Sequence, residues 1–132
     1  MGRAHVAIVT THCLGAILDG RKTIESRLSA TRRAPFGAIG AGDLVWFKER
    51  GGGIGARARV ERVEFVEGLT PRGVASVRRE YGGRIVAESG YWVGKRGARY
   101  ATLIFLAEVE AVSRGPRLVR ARGNRSAWFT LD

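Results

Sequence analysis

The sequence predicts an α+β protein, a small β-barrel of five to six mostly antiparallel strands with two or three flanking helices. Several short segments bounded by Gly, Pro or Asp carry apolar side chains on both faces, as barrel strands do. Two other segments combine helical spacing of apolar residues with helix start or stop signals. The length of 132 residues fits a single domain, 1–132, that can bury a substantial core.

The composition indicates a polyanionic partner. Lysine and arginine together number 23 against 12 acids, which gives a net charge of +11. Such an excess predicts nucleic acid before a membrane surface. Two histidines and one cysteine, Cys13, are too few for a closed zinc site or a disulfide, so we expect no cofactor and no resident metal. No apolar run reaches the length of a membrane span, so we expect a cytoplasmic protein that does not bind membranes. The oligomeric state stays open.

The chain begins with a predicted strand and helix. His5–Val9 has the alternation of a strand. Apolar residues then recur at helical spacing between positions 14 and 18, after the cap residue Thr11. Gly20 stands where a left-handed residue ends a helix, so we expect the helix near 11–19.

The octet Gly20–Arg27 is the strongest candidate site. Alternation on a strand would place Thr23, Glu25 and Arg27 on one face, with Lys22 leaning toward it from the turn. One interpretation is a solvated face whose Glu-Arg pair contributes little to stability. The other is an anion site, in which Lys22 and Arg27 receive a phosphate while Glu25 orients Arg27 or accepts a hydrogen bond from a base edge.

The middle of the chain predicts a loop and a hairpin. Residues 29–42 lack periodicity and carry turn residues throughout, whereas Asp43–Glu49 reads as a barrel strand. Gly51–Gly53 then connects to a strand with Ala56, Ala58 and Val60 on its apolar face. The apolar phase shifts after this strand, which predicts a bulge at position 61 or 62.

The second half predicts a helix over 70–81, with Thr70 as cap, Pro71 at the first helical position and Gly82–Gly83 as its end. Residues 84–99 read as a loop with basic and aromatic side chains that could stack an unpaired base and hold phosphates. Tyr100–Val112 is the most apolar strand, expected at the centre of the sheet. Residues 126–131 form a short closing strand.

Two further sets of residues complete these expectations. Burial should be high at eight apolar positions of the strands and first helix: Ile8, Leu18, Ile24, Val45, Phe47, Val60, Leu103 and Phe105. Before the closing strand, arginines cluster in a segment that is either a solvated loop or a phosphate-tracking patch: Arg114, Arg117, Arg120, Arg122 and Arg125.

With its elements in this order, the chain resembles the ASCH family of the PUA-like superfamily, small β-barrels associated with RNA binding. The octet is similar to that family's Gly-x-Lys-x-x-Glu-x-Arg signature, and Pro35–Lys48 is similar to its second conserved block. The resemblance implies a PUA-like barrel with a nucleotide-sized cleft lined by the octet. In a hydrolase branch of the family that acts on acetylated cytidine, threonine stands where this chain has Glu25.

These features together predict an RNA-binding or single-stranded nucleic-acid-binding domain. The alternatives are a ribonuclease, with Lys22 or Arg27 stabilising charge, Glu25 as base and a divalent metal as an optional partner, or an amidohydrolase with Lys22 as base. A protein-protein adaptor ranks last. Nucleic-acid contacts are expected from eleven residues of the octet, the hairpin and the 84–99 segment: Arg21, Lys22, Thr23, Glu25, Arg27, Lys48, Tyr91, Trp92, Lys95, Arg96 and Arg99.

Overall fold

The computed structural model of the protein describes residues 2–118 and 126–131. Within these residues the chain forms six strands and three helices, which confirms the predicted α+β class. In chain order they are β1 Ala4–Val9, α1 Thr11–Leu18, β2 Ile24–Ser29, β3 Leu44–Glu49, β4 Ile54–Glu67, α2 Pro71–Ile85, α3 Tyr91–Gly94, β5 Tyr100–Ala111 and β6 Trp128–Leu131.

The six strands form one mixed sheet in the order β2-β5-β4-β3-β1-β6, which curves into a half-barrel. β1 pairs with β3 in parallel, and every other neighbouring pair is antiparallel. The prediction of a mostly antiparallel small barrel is therefore confirmed. The expectation for β5 was wrong in detail, since this strand lies between β4 and the edge strand β2 rather than at the centre.

Both long helices begin at side-chain caps. The Thr70 hydroxyl accepts a hydrogen bond from the Gly73 backbone N–H at 3.1 Å, as predicted for the start of α2. The cap of α1 is Thr10 rather than Thr11, because the Thr10 hydroxyl is the acceptor of the Cys13 N–H. Gly20 adopts a positive φ of 85° just beyond α1, the conformation expected of it.

The predicted end of α2 was wrong. The helix continues through Gly82 and Gly83 to Ile85 and ends at Val86, which takes a left-handed conformation at φ 50°. Glycine lowers helix propensity without forbidding the conformation, and Ile85 gains burial by staying in the helix. The 84–99 segment also contains the short helix α3, where the sequence predicts only a loop.

The predicted bulge lies in β4. Val60 pairs with Leu106 and Arg62 with Phe105, so Glu61 is the extra residue between them. A bulge of this kind bends a strand and strengthens its twist. The apolar residues beyond it, including Val63 and Phe65, therefore follow a different phase from Ala56 and Ala58.

The core forms three clusters of buried side chains, one inside the half-barrel beneath α1 and two between the sheet and α2 with its following segment. Six of the eight apolar positions expected in the core are buried. Leu18 is wrong, because it lies on the outer face of the last turn of α1 with 42% of its surface exposed. Ile8 is also wrong, being half-buried where β1 lines a cavity.

Candidate functional site

A cavity of about 920 Å³ opens beside strand β2. Its walls come from β1, β2, the 29–42 loop, the 86–90 loop and α3, with Trp128 of β6 at one side. Cavities that bind small molecules fall in the same size range. Segments from distant parts of the chain thus meet at one concave surface, and the octet supplies part of its wall.

Lys22, Glu25 and Arg27 converge on this cavity. Lys22 is only 2% exposed and Glu25 only 4%, which rules out the solvated-face interpretation of the octet. The Lys22 Nζ lies 3.7 Å from Glu25 Oε1, and Arg27 Nη2 lies 3.5 Å from Glu25 Oε2. One buried carboxylate therefore stands between two cations, and all three residues line the cavity.

Lys22 also connects helices α1 and α2 with strand β2. Its backbone N–H donates to the Ala16 carbonyl of α1 at 2.9 Å. Its Nζ donates to the Ile85 carbonyl, in the last turn of α2, at 2.6 Å. Carbonyls at a helix C-terminus lack partners within the helix and favour a cation nearby. The turn at Gly20 thus delivers an ammonium group that stabilises the end of α2 and faces Glu25.

The electrostatic environment keeps Glu25 ionised. Burial by itself would raise the pKa of Glu25, but the charges of Lys22 and Arg27 and the Ser26 N–H together lower it below its usual value. The Ser26 N–H donates to Oε1 at 2.9 Å. Within the described part of the chain, Oε2 of Glu25 and Nε of Arg27 are buried atoms without a hydrogen-bond partner.

Arg27 bridges the two ends of the sheet. Its guanidinium donates to the Ile8 carbonyl of β1 at 3.2 Å and to the Ala127 carbonyl before β6 at 3.5 Å. The same group lies over the Trp128 ring, 5.3 Å from the ring centroid. Because β2 is one edge of the sheet and β6 the other, this side chain closes part of the gap between them. Its pairing with Glu25 fixes it there.

Two hydroxyls and a lysine extend the polar lining. Ser26 Oγ and Tyr91 Oη lie 2.8 Å apart, so α3 is tied to β2 through this hydrogen bond. Burial raises the pKa of Tyr91 to about 12, which keeps its phenol protonated. Lys95 Nζ donates to the Leu28 carbonyl at 3.2 Å. Burial, followed by the charges of Arg27 and Arg33, lowers the pKa of Lys95.

The rim of the cavity carries groups that the sequence did not single out as contacts. Arg33 of the 29–42 loop and Arg50 after β3 are exposed and line the opening. No carboxylate within the described ranges lies within ion-pair distance of either guanidinium. Glu88, also at the rim, accepts a hydrogen bond from the Thr10 hydroxyl. These residues come from separate loops, and no local pattern marks them as neighbours.

The structure brings five of the eleven predicted contact residues together at the cavity: Lys22, Glu25, Arg27, Tyr91 and Lys95. The other six lie outside its lining: Arg21, Thr23, Lys48, Trp92, Arg96 and Arg99. Several of these are engaged elsewhere. Arg21 pairs with Asp19 at 2.8 Å, and the Thr23 hydroxyl accepts a hydrogen bond from Arg84. Trp92 packs against two of the core clusters and lines a separate, shallower cavity of about 450 Å³.

The arginine-rich segment is described only in part. Arg114 and Arg117 are exposed. Arg120, Arg122 and Arg125 lie outside the described residues, so the patch stays a prediction.

Two classes of feature do not occur in the described ranges. Among residues 2–118 and 126–131, no three His, Cys, Asp or Glu side chains are grouped so that they could hold a metal ion. In the same residues, no helix combines the length and the apolar character needed to cross a membrane.

The curved sheet, its helices and the cavity beside β2 define a small α+β half-barrel. The fold is similar to that of the ASCH protein from Zymomonas mobilis, with a TM-score of 0.65 and 19% identity over 83% of this chain and 70% of that chain. A serine-to-alanine variant of the Zymomonas mobilis protein gives a TM-score of 0.66 and 18% identity over 84% and 72% of the two chains.

A more distant structure, the hypothetical protein PH0355, has a TM-score of 0.51 and 18% identity over 81% of this chain and 97% of that chain. No protein-family model matches the sequence, and no curated protein matches it either. At these identities the likeness concerns the fold. It confirms the ASCH-like fold that the sequence predicts.

Proposed function

We propose that this protein binds single-stranded nucleic acid, RNA above all, and receives one nucleotide in the cavity beside β2. The observation that carries the proposal is the buried Glu25 carboxylate held between Lys22 and Arg27 on a cavity of about 920 Å³. Burying a cluster of charged side chains costs free energy unless its members are well paired. The cluster of Lys22, Glu25 and Arg27 lies beside a cavity that can hold a ligand.

Two exposed arginines at the rim favour an anionic ligand at this cavity. On β4, arginines are matched by carboxylates: Arg57 pairs with Glu110, Arg59 with Glu108. Arg33 and Arg50 at the cavity rim have no such partner among the described residues. Unpaired, exposed guanidinium groups are suited to phosphate oxygens, and such contacts position a strand without reading its sequence.

The inner groups are suited to a sugar or a base. Ser26 and Tyr91 provide hydroxyls that donate and accept hydrogen bonds. Glu25 is acceptor-only because its pKa is lowered, so it favours ligands that present N–H or O–H groups. Single-stranded RNA offers base edges and 2′-hydroxyls of this kind, whereas a duplex keeps its Watson–Crick edges paired.

The test is binding of a fluorescein-labelled, single-stranded RNA 12-mer followed by anisotropy. Replacing Arg33 or Arg50 by Ala should weaken binding about tenfold at low salt, as expected for the loss of a charge-assisted phosphate contact. Arg72→Ala is the matched control, because Arg72 is exposed on α2 and does not line the cavity. Equal losses in all three variants would show that only total charge matters, and an absence of wild-type binding would refute the proposal.

Cleavage of RNA is the second candidate, because a carboxylate and two cations share one cavity. A ribonuclease would need Glu25 as its base, yet a carboxylate whose pKa lies below its usual value is a weak base. Binding is therefore the better-supported function. Incubating the same RNA with Mg²⁺ or Mn²⁺ separates the two, since fragments that Lys22→Ala abolishes would establish a nuclease. Deacetylation of acetylated cytidine without RNA cleavage would instead establish the amidohydrolase.

A further inference from the structure

Three aromatic rings lie side by side at one edge of the cavity. Phe36 is 5.2 Å from Phe65 and 5.2 Å from Tyr100 between ring centroids, with edge-to-face geometry in both contacts. Phe36 and Tyr100 line the cavity, whereas Phe65 does not. Phe65 is therefore one ring removed from the lining of the cavity.

Phe65 stands out among the aromatic residues. It is 42% exposed, and no other Phe, Tyr or Trp in the described ranges falls in the exposed class. It lies on β4 beyond the bulge at Glu61, and its strand partner is Thr102, a buried residue of the cavity wall. At the bulge, the alternation of side chains between the two faces of β4 shifts by one residue. This shift places the Phe65 ring at the surface next to the cavity.

The aromatic residues that the sequence marked for stacking are already engaged. Tyr91 is hydrogen-bonded to Ser26 and in edge contact with Trp92, with ring centroids 5.1 Å apart. Trp92 itself packs against two core clusters. Both rings are less exposed than Phe65, so Phe65 is the better candidate for a stacking surface.

Positive charge accompanies the exposed ring. The Arg32 guanidinium lies over Phe36, 4.8 Å from the ring centroid, and pairs with Glu67 at 3.3 Å. Arg33, the next residue, lines the rim of the cavity without a carboxylate partner in the described chain. Aromatic rings beside cations are the combination that proteins use to hold single strands, with bases on the rings and phosphates on the cations.

We infer that Phe65 is a stacking platform for the base that neighbours the nucleotide in the cavity. The inference rests on the proposed function and extends it from one nucleotide to two. A base can stack on Phe65 only if it leaves its own helix, so the platform selects single strands over duplexes. Because every base has an aromatic face, the contact adds affinity with little sequence preference.

A single exposed phenylalanine is common on protein surfaces, and three features distinguish this one. Its ring contacts a ring of the cavity wall, it is the exposed member of a three-ring cluster, and the Arg32 guanidinium lies over one ring of that cluster. An apolar protein partner would gain little from the same surface, since Arg32 and Arg33 would have to be desolvated on binding. The charge complementarity favours a nucleic-acid strand.

The test compares an RNA 12-mer with an abasic 12-mer that has the same number of phosphates. Phe65→Leu keeps an apolar side chain but removes the ring, and Phe65→Trp restores a larger aromatic surface. Phe65→Leu should weaken binding of the RNA about tenfold and leave binding of the abasic strand unchanged. Phe65→Trp should bind the RNA at least as well as the wild type does. Val93→Ala, at an apolar side chain that is 69% exposed, is the matched surface control.

Two results would overturn the inference in distinguishable ways. If wild-type protein binds RNA and Phe65→Leu binds it equally well, or weakens both strands alike, Phe65 is not a stacking platform while the proposed function stands. If wild-type protein binds neither strand, the proposed function fails and the inference fails with it. Thermal unfolding of each variant confirms that altered binding is measured on folded protein.

Discussion

The Lys22 ammonium and the Glu25 carboxylate are both withdrawn from water, which makes a change at either residue costly. Lys22 has two partners, the Glu25 carboxylate and the Ile85 carbonyl, and it is 2% exposed. Removing one member of a buried ion pair leaves an uncompensated charge, whereas replacing both by apolar residues of similar size is often nearly neutral. An exposed pair would behave differently, because it contributes about 0–1 kcal/mol.

Glu25→Leu should therefore lower the free energy of unfolding by about 3–5 kcal/mol. The double variant Lys22→Met with Glu25→Leu should recover most of that loss, because the fully buried ammonium is removed with its counter-ion and the remaining cation, Arg27, is 21% exposed. Neither variant should bind the RNA 12-mer normally, since Arg27 loses its carboxylate partner in both. Urea unfolding together with anisotropy measures the two effects. A single variant as stable as the wild type would show that Glu25 is not the counter-ion of Lys22.

The same carboxylate gives the protein a predicted pH dependence. The folded-state pKa of Glu25 lies below its usual value of 4.5, and that of Asp43 lies below 3.8. Burial alone would raise the pKa of Asp43, but hydrogen bonds from His5 and from the Arg3 and Gly40 N–H groups lower it. A carboxyl with a depressed pKa contributes stability above its unfolded value, and this contribution is lost as the pH falls through the folded value.

Above about pH 5, these two carboxyl groups should therefore not make thermal stability depend on pH. The melting temperature should fall as the pH drops below 4.5 and then 3.8, where the two groups become protonated. The variant that lacks both Lys22 and Glu25 should show a shallower fall, because the Glu25 contribution is absent. Melting temperatures recorded from pH 7 to pH 2.5 test this. Identical curves for the variant and the wild type would contradict the assignment to Glu25.

At the scale of single elements, the sequence predicts those features of a helix or strand that depend on neighbouring residues. The start of α2 was predicted correctly, since Thr70 and Pro71 are local signals for its first turn. The bulge in β4 followed from a change of apolar phase around Glu61. The end of α2 did not follow, because burial of Ile85 outweighs the low helix propensity of Gly82 and Gly83.

In the candidate site, too, some residues could be predicted from local patterns and others could not. Lys22, Glu25 and Arg27 could be predicted because they fall within one octet on a turn and a strand. Arg33 and Arg50 could not, since their approach to the cavity depends on how two loops pack against β2. The sequence predicts a stacking role for Trp92 because this residue lies in a basic segment. Its packing against α2 and the sheet is a tertiary contact that composition does not reveal.

At the scale of the whole molecule, the net charge of +11 exceeds what any one site needs. Carboxylates pair with arginines along the sheet, as Arg59 does with Glu108 and Arg62 with Glu64. These pairs contribute modestly to stability, but they remove guanidinium groups from competition for phosphate. We therefore expect two kinds of contribution to binding, a diffuse one from total charge and a local one from the cavity rim.

Salt dependence separates these contributions. For single strands, the slope of log K against log salt is about −0.7 for each phosphate contacted. Arg33→Ala should reduce the magnitude of the slope by about 0.7, because one contact is lost. Arg72→Ala, which removes one charge from the diffuse contribution and no contact at the rim, should change it much less. Phe65→Leu should weaken binding at every salt concentration and keep the wild-type slope, since stacking on a ring releases no counter-ions.

Anisotropy titrations of the RNA 12-mer between about 50 and 200 mM KCl provide the slopes. Equal changes in slope for Arg33→Ala and Arg72→Ala would mean that phosphates are held by the overall charge of the protein and not by the rim of the cavity.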